Sequence, residues 1–149
     1  MIAVPVPWVF VLAYLCGVMV DLAYPLRPPL GATTGVKIAG ALLFLIGAII
    51  AGWGWVMFWK ARTTRVPGNE SSSLVTGGPY RSTRNPMYVG LTLAYLGEAG
   101  MLTQIWPLLF LPLVLVYLNA VVIPLEERKL AEVFGPSYDD YRHRVRRWI

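Results

Sequence analysis

Between Gly77 and Gly90 the chain reads GGPYRSTRNPMYVG, and between Glu126 and Tyr141 it reads EERKLAEVFGPSYDDY. Both stretches crowd charged and aromatic residues against apolar runs. Arginine offers a fork of donors to anions, a carboxylate receives ammonium groups, and tyrosine adds an aromatic face with a polar tip. A loop that only joins two membrane helices has no need of this chemistry, so the two stretches read as halves of a binding site. Glu126 and Glu127 allow two readings. If a new helix starts at Pro124, they sit at its positive end. If the preceding helix continues through Leu125, they need a cationic partner, and Arg81, Arg84 or the ammonium group of a ligand would serve.

The elements that must position these residues are membrane helices. The 149 residues are 56% hydrophobic and 14% charged, with a mean hydropathy of +0.57, whereas soluble domains carry about 25% charged residues. The length suits a single domain, and the expected fold is an all-α integral membrane bundle. A spanning helix needs about 20 apolar residues, and about four spans can be drawn, at 5–24, 36–59, 87–103 and 105–125. The third is short and carries Glu98. The third and fourth are joined by so little polar sequence that a tight helical hairpin is expected. The first lacks a basic leader and a small-residue cleavage site, so it reads as a retained helix. The formal charge of +5 does not argue for nucleic acid, because the basic residues flank apolar spans. Lys60, Arg62, Arg65, Arg81 and Arg84 lie in the central segment 60–86, and six more lie in the tail 126–149. By the positive-inside rule the N-terminus, central loop and tail share the cytoplasmic face. Cys16 sits alone in an apolar run and reads as packing.

Local patterns refine this frame. Gly77, Gly78 and Pro79 predict a tight turn that holds Tyr80 and Arg81 at the membrane surface, with Leu74 and Val75 plugging the loop back into the bundle. Pro86 suits the first turn of the third span, with Asn85 as its cap. Leu130, Val133 and Phe134 have helical spacing, and Gly135-Pro136 should end that helix. A second short helix near Ser137, with Asp140 in a capping arrangement, makes the tail an amphipathic lid. Its arginines from 142 to 147 read as neighbours of anionic headgroups, so Arg147 is expected to be dispensable for any ligand. Trp53, Trp55, Phe58 and Trp59 read as interfacial anchors.

LVTGGPYRSTRNPMYVG followed by EERKLAEVFGPSYDDYRHRVRRW resembles the isoprenylcysteine carboxyl methyltransferases and related phospholipid methyltransferases. These are integral membrane enzymes that use S-adenosylmethionine, and the similarity covers about the C-terminal half. The resemblance implies that Ser72, Ser73, Leu74, Val75, Tyr80, Asn85, Pro86, Met87 and Tyr88 line the cofactor, with Glu126 on its amino group and Glu127 close by. Gly97 and Gly100 are a stretched version of a Gly-x-Gly cofactor element. Asn85 departs from the family's usual histidine. The candidate catalytic residues are Arg81, Glu98 and Glu127, with no metal. The implied reaction is methyl transfer to a lipophilic or prenylated acceptor in the bilayer. A carboxylate acceptor needs no general base, whereas an amine or thiol would, and Glu98 would then be the candidate. The alternatives are a phospholipid amine or small-thiol methyltransferase, a non-catalytic membrane protein that binds a lipid or partner, and a proton-coupled carrier using Asp21 and Glu98.

Overall fold

The computed structural model describes residues 6–26, 33–63 and 73–149. It has six α-helices, named here α1 (Val6–Ala23), α2 (Thr34–Thr63), α3 (Pro86–Leu102), α4 (Ile105–Tyr117), α5 (Ile123–Phe134) and α6 (Pro136–Arg144). A 3-10 turn at Gly78–Arg81 precedes α3, and a π-helical segment, Leu118–Val122, joins α4 to α5. Three stretches, Val6–Ala23, Thr34–Ala61 and Ile105–Phe134, are long and apolar enough to cross a membrane. At 17 residues, α3 lies at the short limit for a span.

Glycines at seven-residue spacing seat α3 on α2. A Cβ on Gly40 would come within 2.7 Å of the Gly97 carbonyl oxygen, and one on Gly90 within 2.6 Å of the Gly47 carbonyl oxygen. Further along, Gly54 faces the Met87 side chain. The α2 numbers rise as the α3 numbers fall, so the helices are antiparallel with their backbones nearly touching. Lipid gives apolar side chains no reason to associate, so such close packing is what holds membrane helices together. Gly97 therefore packs against α2.

α4 pairs with α1 instead. A Cβ on Gly17 would come within 2.6 Å of Pro107 Cα, and Trp106 Nε1 donates to the Tyr24 carbonyl oxygen at 2.6 Å. The expected hairpin exists, with only Thr103 and Gln104 between α3 and α4. Thr103 takes the left-handed conformation (φ 55°), and its N–H donates back into the last turn of α3. The two helices nevertheless pack on different partners and part from one another beyond the turn. Tyr95 fills the space between α1, α3 and α4: its ring lies edge-on to Phe10 and Tyr14, with centroids 6.2 and 5.0 Å away, and its hydroxyl donates to the Pro107 carbonyl oxygen.

The fourth span does not stop at Leu125. The helix runs on through the π segment and α5 to Phe134. Pro124 has no N–H and its ring crowds the carbonyl four residues back, and the wider π turn just before it accommodates both. Gly135, at φ 50°, then reverses the chain into α6. It also occupies the N-cap position of α6, so the expected cap from Ser137 is not formed.

Candidate functional site

The continuous helix settles the two readings of the acidic pair in favour of cationic partners. Glu127 accepts from Arg84 Nη2 at 3.2 Å and from Arg147 Nη2 at 2.6 Å. Its side chain is 15% exposed, and those of Arg84 and Arg147 are 11% and 33% exposed. One carboxylate thus holds two guanidinium groups. Glu126, one position earlier, accepts the Tyr88 hydroxyl at 2.7 Å, a short charge-assisted bond. Arg84 Nε and Nη1 are covered and have no hydrogen-bond partner among the described residues. Arg81, the other expected cation, is exposed at the end of the 3-10 turn.

Three segments far apart in sequence close around this pair. The 3-10 turn packs against α2: Gly78 has φ +56°, a conformation that suits glycine, and its Cα lies against the Met57 side chain with the Trp53 ring nearby. Tyr80 follows, buried, with its hydroxyl towards the Gly54 carbonyl oxygen at 3.4 Å. Tyr141 of α6 donates to the Tyr80 carbonyl oxygen at 2.8 Å and so draws the tail helix over the turn. The last residues then run beside the start of α3. Arg84 N–H donates to the Arg146 carbonyl oxygen at 2.9 Å, and the Arg147 carbonyl oxygen accepts from Thr83 Oγ1 at 3.1 Å and Asn85 Nδ2 at 2.9 Å. Asn85 stands at the N-cap position of α3 without capping it, because its amide is committed to the tail. Arg147, expected to face headgroups, is instead the residue that fastens the tail to the site.

The cavity between these segments measures about 330 Å³. Of the expected cofactor residues, Tyr80, Asn85, Pro86, Met87, Tyr88 and Glu126 line it, as does Glu127. Arg84, Lys129, Tyr138 and Tyr141 line it too, and Trp55 and Phe58 form part of its wall. Those last two read from sequence as anchors, since aromatic residues near a span end suit either role. Tyr138 and Tyr141 carried a usable signal in their one-turn spacing within a polar helix. Ser73, Leu74 and Val75 do not line the cavity, and Ser72 lies outside the described residues. Glu98 is not brought to it either: ten residues beyond Tyr88, it lies about 15 Å along α3, where its neighbours are Tyr14 and Tyr95. Asp21 accepts the Leu26 N–H at 3.4 Å just beyond the end of α1.

Burial governs the protonation of the aromatic wall. It pushes the Tyr80 hydroxyl up to about 12, with the Glu126 charge adding to the shift. Tyr141 is likewise raised to about 12 by burial, with Arg84 partly opposing. Tyr138 is raised by burial and Glu127, and again Arg84 opposes. All three hydroxyls are neutral donors at ordinary pH. The cavity therefore offers a carboxylate with one oxygen engaged by Tyr88, neutral hydroxyls and several aromatic faces.

Comparison with known proteins places this arrangement. Over 112 residues the chain is 30% identical to the Probable protein-S-isoprenylcysteine O-methyltransferase of Oryza sativa subsp. indica, covering 74% of this chain and 59% of that protein. It is 38% identical over 77 residues to the Protein-S-isoprenylcysteine O-methyltransferase of Schizosaccharomyces pombe, covering 52% and 33%. It is also 34% identical over 80 residues to the cobalt-zinc-cadmium resistance protein CzcN of Cupriavidus metallidurans, covering 54% and 37%. The chain thus spans between about a third and three-fifths of the length of these relatives. No solved structure matches it. The phospholipid methyltransferase family model matches residues 36–137, from near the start of α2 to the start of α6. With the glycine-packed helices, the turn and the acidic pair all inside that match, the chain belongs to the phospholipid methyltransferase family.

Proposed function

We propose that the chain is a membrane methyltransferase that uses S-adenosylmethionine and acts on a lipophilic carboxylate acceptor. The observation that carries this reading is the pairing of Glu126 with Tyr88 in the wall of an aromatic-lined cavity of about 330 Å³, within the range of about 300–1,000 Å³ typical of small-molecule sites. The residues fit the cofactor in kind. Glu126 suits its ammonium group, and the faces of Trp55, Phe58 and Tyr80 suit a sulfonium cation and an adenine ring. Bound there, the cofactor would supply an electrophilic methyl group to an acceptor carboxylate oxygen, a displacement that would leave the electron pair of the broken C–S bond on sulfur and need no proton transfer. The residues of the chain then have three tasks. Glu126 and Tyr88 orient the ligand, the α6 tyrosines exclude water, and the Arg84–Glu127–Arg147 cluster fixes the tail over the cavity.

A carboxylate acceptor is supported by the two arginines beside the site, Arg84 and Arg147. Glu98, the base that an amine or thiol acceptor would call for, stands about 15 Å along α3 from Tyr88. The names of the rice and fission-yeast relatives favour an isoprenylated cysteine among such acceptors. The basic residues of the central segment and tail favour a cytoplasmic site. Calorimetry of the detergent-purified protein with S-adenosylmethionine and with its demethylated product tests the proposal. Micromolar binding of both is expected, and a folded protein that binds neither would sink it.

A further inference from the structure

Four charged residues line the candidate cofactor cavity, Arg84, Glu126, Glu127 and Lys129, beside the hydroxyls of Tyr80, Tyr88, Tyr138 and Tyr141. Two cations stand against two anions, so the wall is balanced. Glu127 is answered by Arg84 at 3.2 Å and by Arg147, reaching in from the tail, at 2.6 Å. Glu126 accepts from the Tyr88 hydroxyl. The ion pairs among the described residues join Arg84, Arg142 and Arg147 to Glu127 and Asp139, and neither Glu126 nor Lys129 takes part in one. Lys129 is the one charge of this wall that the proposed chemistry does not use.

Helix geometry sets Glu126 and Lys129 side by side. Residues three apart on an α-helix are surface neighbours, about 5–6 Å apart at Cβ, and α5 carries both on the face that lines the cavity. The Lys129 charge is felt at the Glu126 carboxylate. Lys129 is exposed, and its ammonium rides on a flexible four-carbon stem. An exposed pair at this spacing gains little by closing on itself, so the two groups can part to admit a ligand at small cost. A carboxylate and an ammonium one turn apart are the reverse of an amino-acid zwitterion, whose two charges leave a single carbon. In one orientation each charge of such a ligand meets its opposite, and in the other each meets its like. Arg84, the other cation of the wall, is engaged by Glu127, and Arg147 does not line the cavity.

We infer that Glu126 and Lys129 form a two-point clamp on the amino-acid end of the cofactor, Lys129 receiving its carboxylate while Glu126 receives its ammonium group. The inference deepens the methyltransferase reading and rests on it. It makes Lys129 a specificity-determining residue: an adenosyl sulfonium that lacks the carboxylate would leave the lysine unanswered and bring a second cation beside it. With the amino-acid end held on α5, the aromatic faces of Trp55 and Phe58 are left for the sulfonium and the adenine ring.

The test is calorimetry of the purified full chain with S-adenosylmethionine, with its decarboxylated form, which keeps the amine and the sulfonium, and with methylthioadenosine, which lacks the amino-acid end. Lys129→Gln is expected to weaken S-adenosylmethionine by about tenfold, the size of one exposed charge-assisted hydrogen bond, and to leave the decarboxylated form within about twofold or tighter. Lys129→Arg keeps the charge and should restore S-adenosylmethionine to within about threefold of wild type. Glu126→Gln is expected to weaken both amine-bearing ligands and leave methylthioadenosine within about twofold. Equal losses of both amine-bearing ligands in Lys129→Gln would mean that the lysine acts only through the fold or through Glu126, and that result overturns the clamp. So does an affinity for S-adenosylmethionine that Lys129→Gln leaves unchanged, which would pass the carboxylate to Arg84. A wild-type chain that binds S-adenosylmethionine and its decarboxylated form equally well removes the clamp and leaves the reaction. One that binds none of the ligands removes the reaction, and the clamp with it.

Discussion

The side-chain amide of Asn85 donates to the main-chain carbonyl of Arg147 at 2.9 Å, joining the first residues of α3 to the end of the chain. Thr83 donates to the same carbonyl, and Arg84 N–H to the one before it. The loop and the tail are thus tied by main-chain geometry as well as by the ion pairs on Glu127. The residue at position 85 must supply a donor, and this is a role an asparagine and a histidine can share.

Asn85→Asp replaces that donor with an acceptor facing a carbonyl oxygen. The expected result is a tail that releases, read as faster tryptic cleavage among Arg142, Arg144, Arg146 and Arg147. Asn85→His keeps a donor and should stay resistant. The lost bond is worth about 0.5–1.5 kcal/mol and the new repulsion adds to it, so cleavage should rise several-fold or more. Equal resistance of the two variants would show that the ion pairs alone hold the tail.

Much of the frame was legible because it rests on local rules. The apolar runs located the helices, Pro86 marked the start of α3, and Gly135-Pro136 marked the break before α6. Tyr80, Tyr88 and Glu126, singled out through their motifs, line one cavity. What escaped depends on which helix packs against which. Gly97 reads equally well as a cofactor glycine or a packing glycine until α2 is seen against it. Trp55 reads as a lipid anchor until the turn at Gly78 folds beside its helix. The inward turn of Arg147 was hidden for a similar reason: a basic tail normally favours headgroups, and only the extended backbone after Arg144 carries this side chain back to Glu127 and Asn119. Arg81 and Glu98 do not line the cavity, and charge type alone gives no depth along a bundle.

The glycine contacts between α2 and α3 should dominate stability. A methyl at Gly47 or Gly90 meets backbone atoms of the partner helix, which cannot move aside as a side chain does. Gly47→Ala and Gly90→Ala are each expected to cost about 1–3 kcal/mol, seen as a lower midpoint in detergent thermal unfolding. Gly52→Ala, where nothing lies within 4 Å, should be neutral or stabilising by up to about 1 kcal/mol. A Gly52 variant as damaging as the Gly90 variant would exclude this packing.

Glu126 and Tyr88 make separable contributions to the proposed cofactor site. Glu126→Gln removes the charge that an ammonium group would meet but keeps an acceptor for the Tyr88 hydroxyl. The expected loss is about 1.5–3 kcal/mol, or roughly tenfold to more than a hundredfold in the dissociation constant for S-adenosylmethionine. Tyr88→Phe leaves the carboxylate in place but frees it to rotate, so a loss of about threefold to tenfold is expected. Unchanged affinity in Glu126→Gln, measured by calorimetry, would remove Glu126 from the site.

The raised hydroxyls of Tyr80 and Tyr141 fix the sign of the alkaline behaviour. An unfolded tyrosine ionises near its ordinary value of 10, whereas both of these ionise in the folded chain only at about 12. Below 10 both states hold their protons and the two groups contribute no slope. Between 10 and 12 the unfolded state loses protons that the folded state keeps, so stability falls as pH rises through that window. The unfolding midpoint should therefore fall across this interval, together with tyrosinate absorbance appearing on unfolding. In the Tyr80→Phe and Tyr141→Phe double variant, the slope assigned to these two groups should vanish even though the starting stability is lower, because the Tyr141 bond to the Tyr80 carbonyl is gone. A slope unchanged by the double substitution would mean that other groups control alkaline unfolding and that these hydroxyls are not held neutral by their burial.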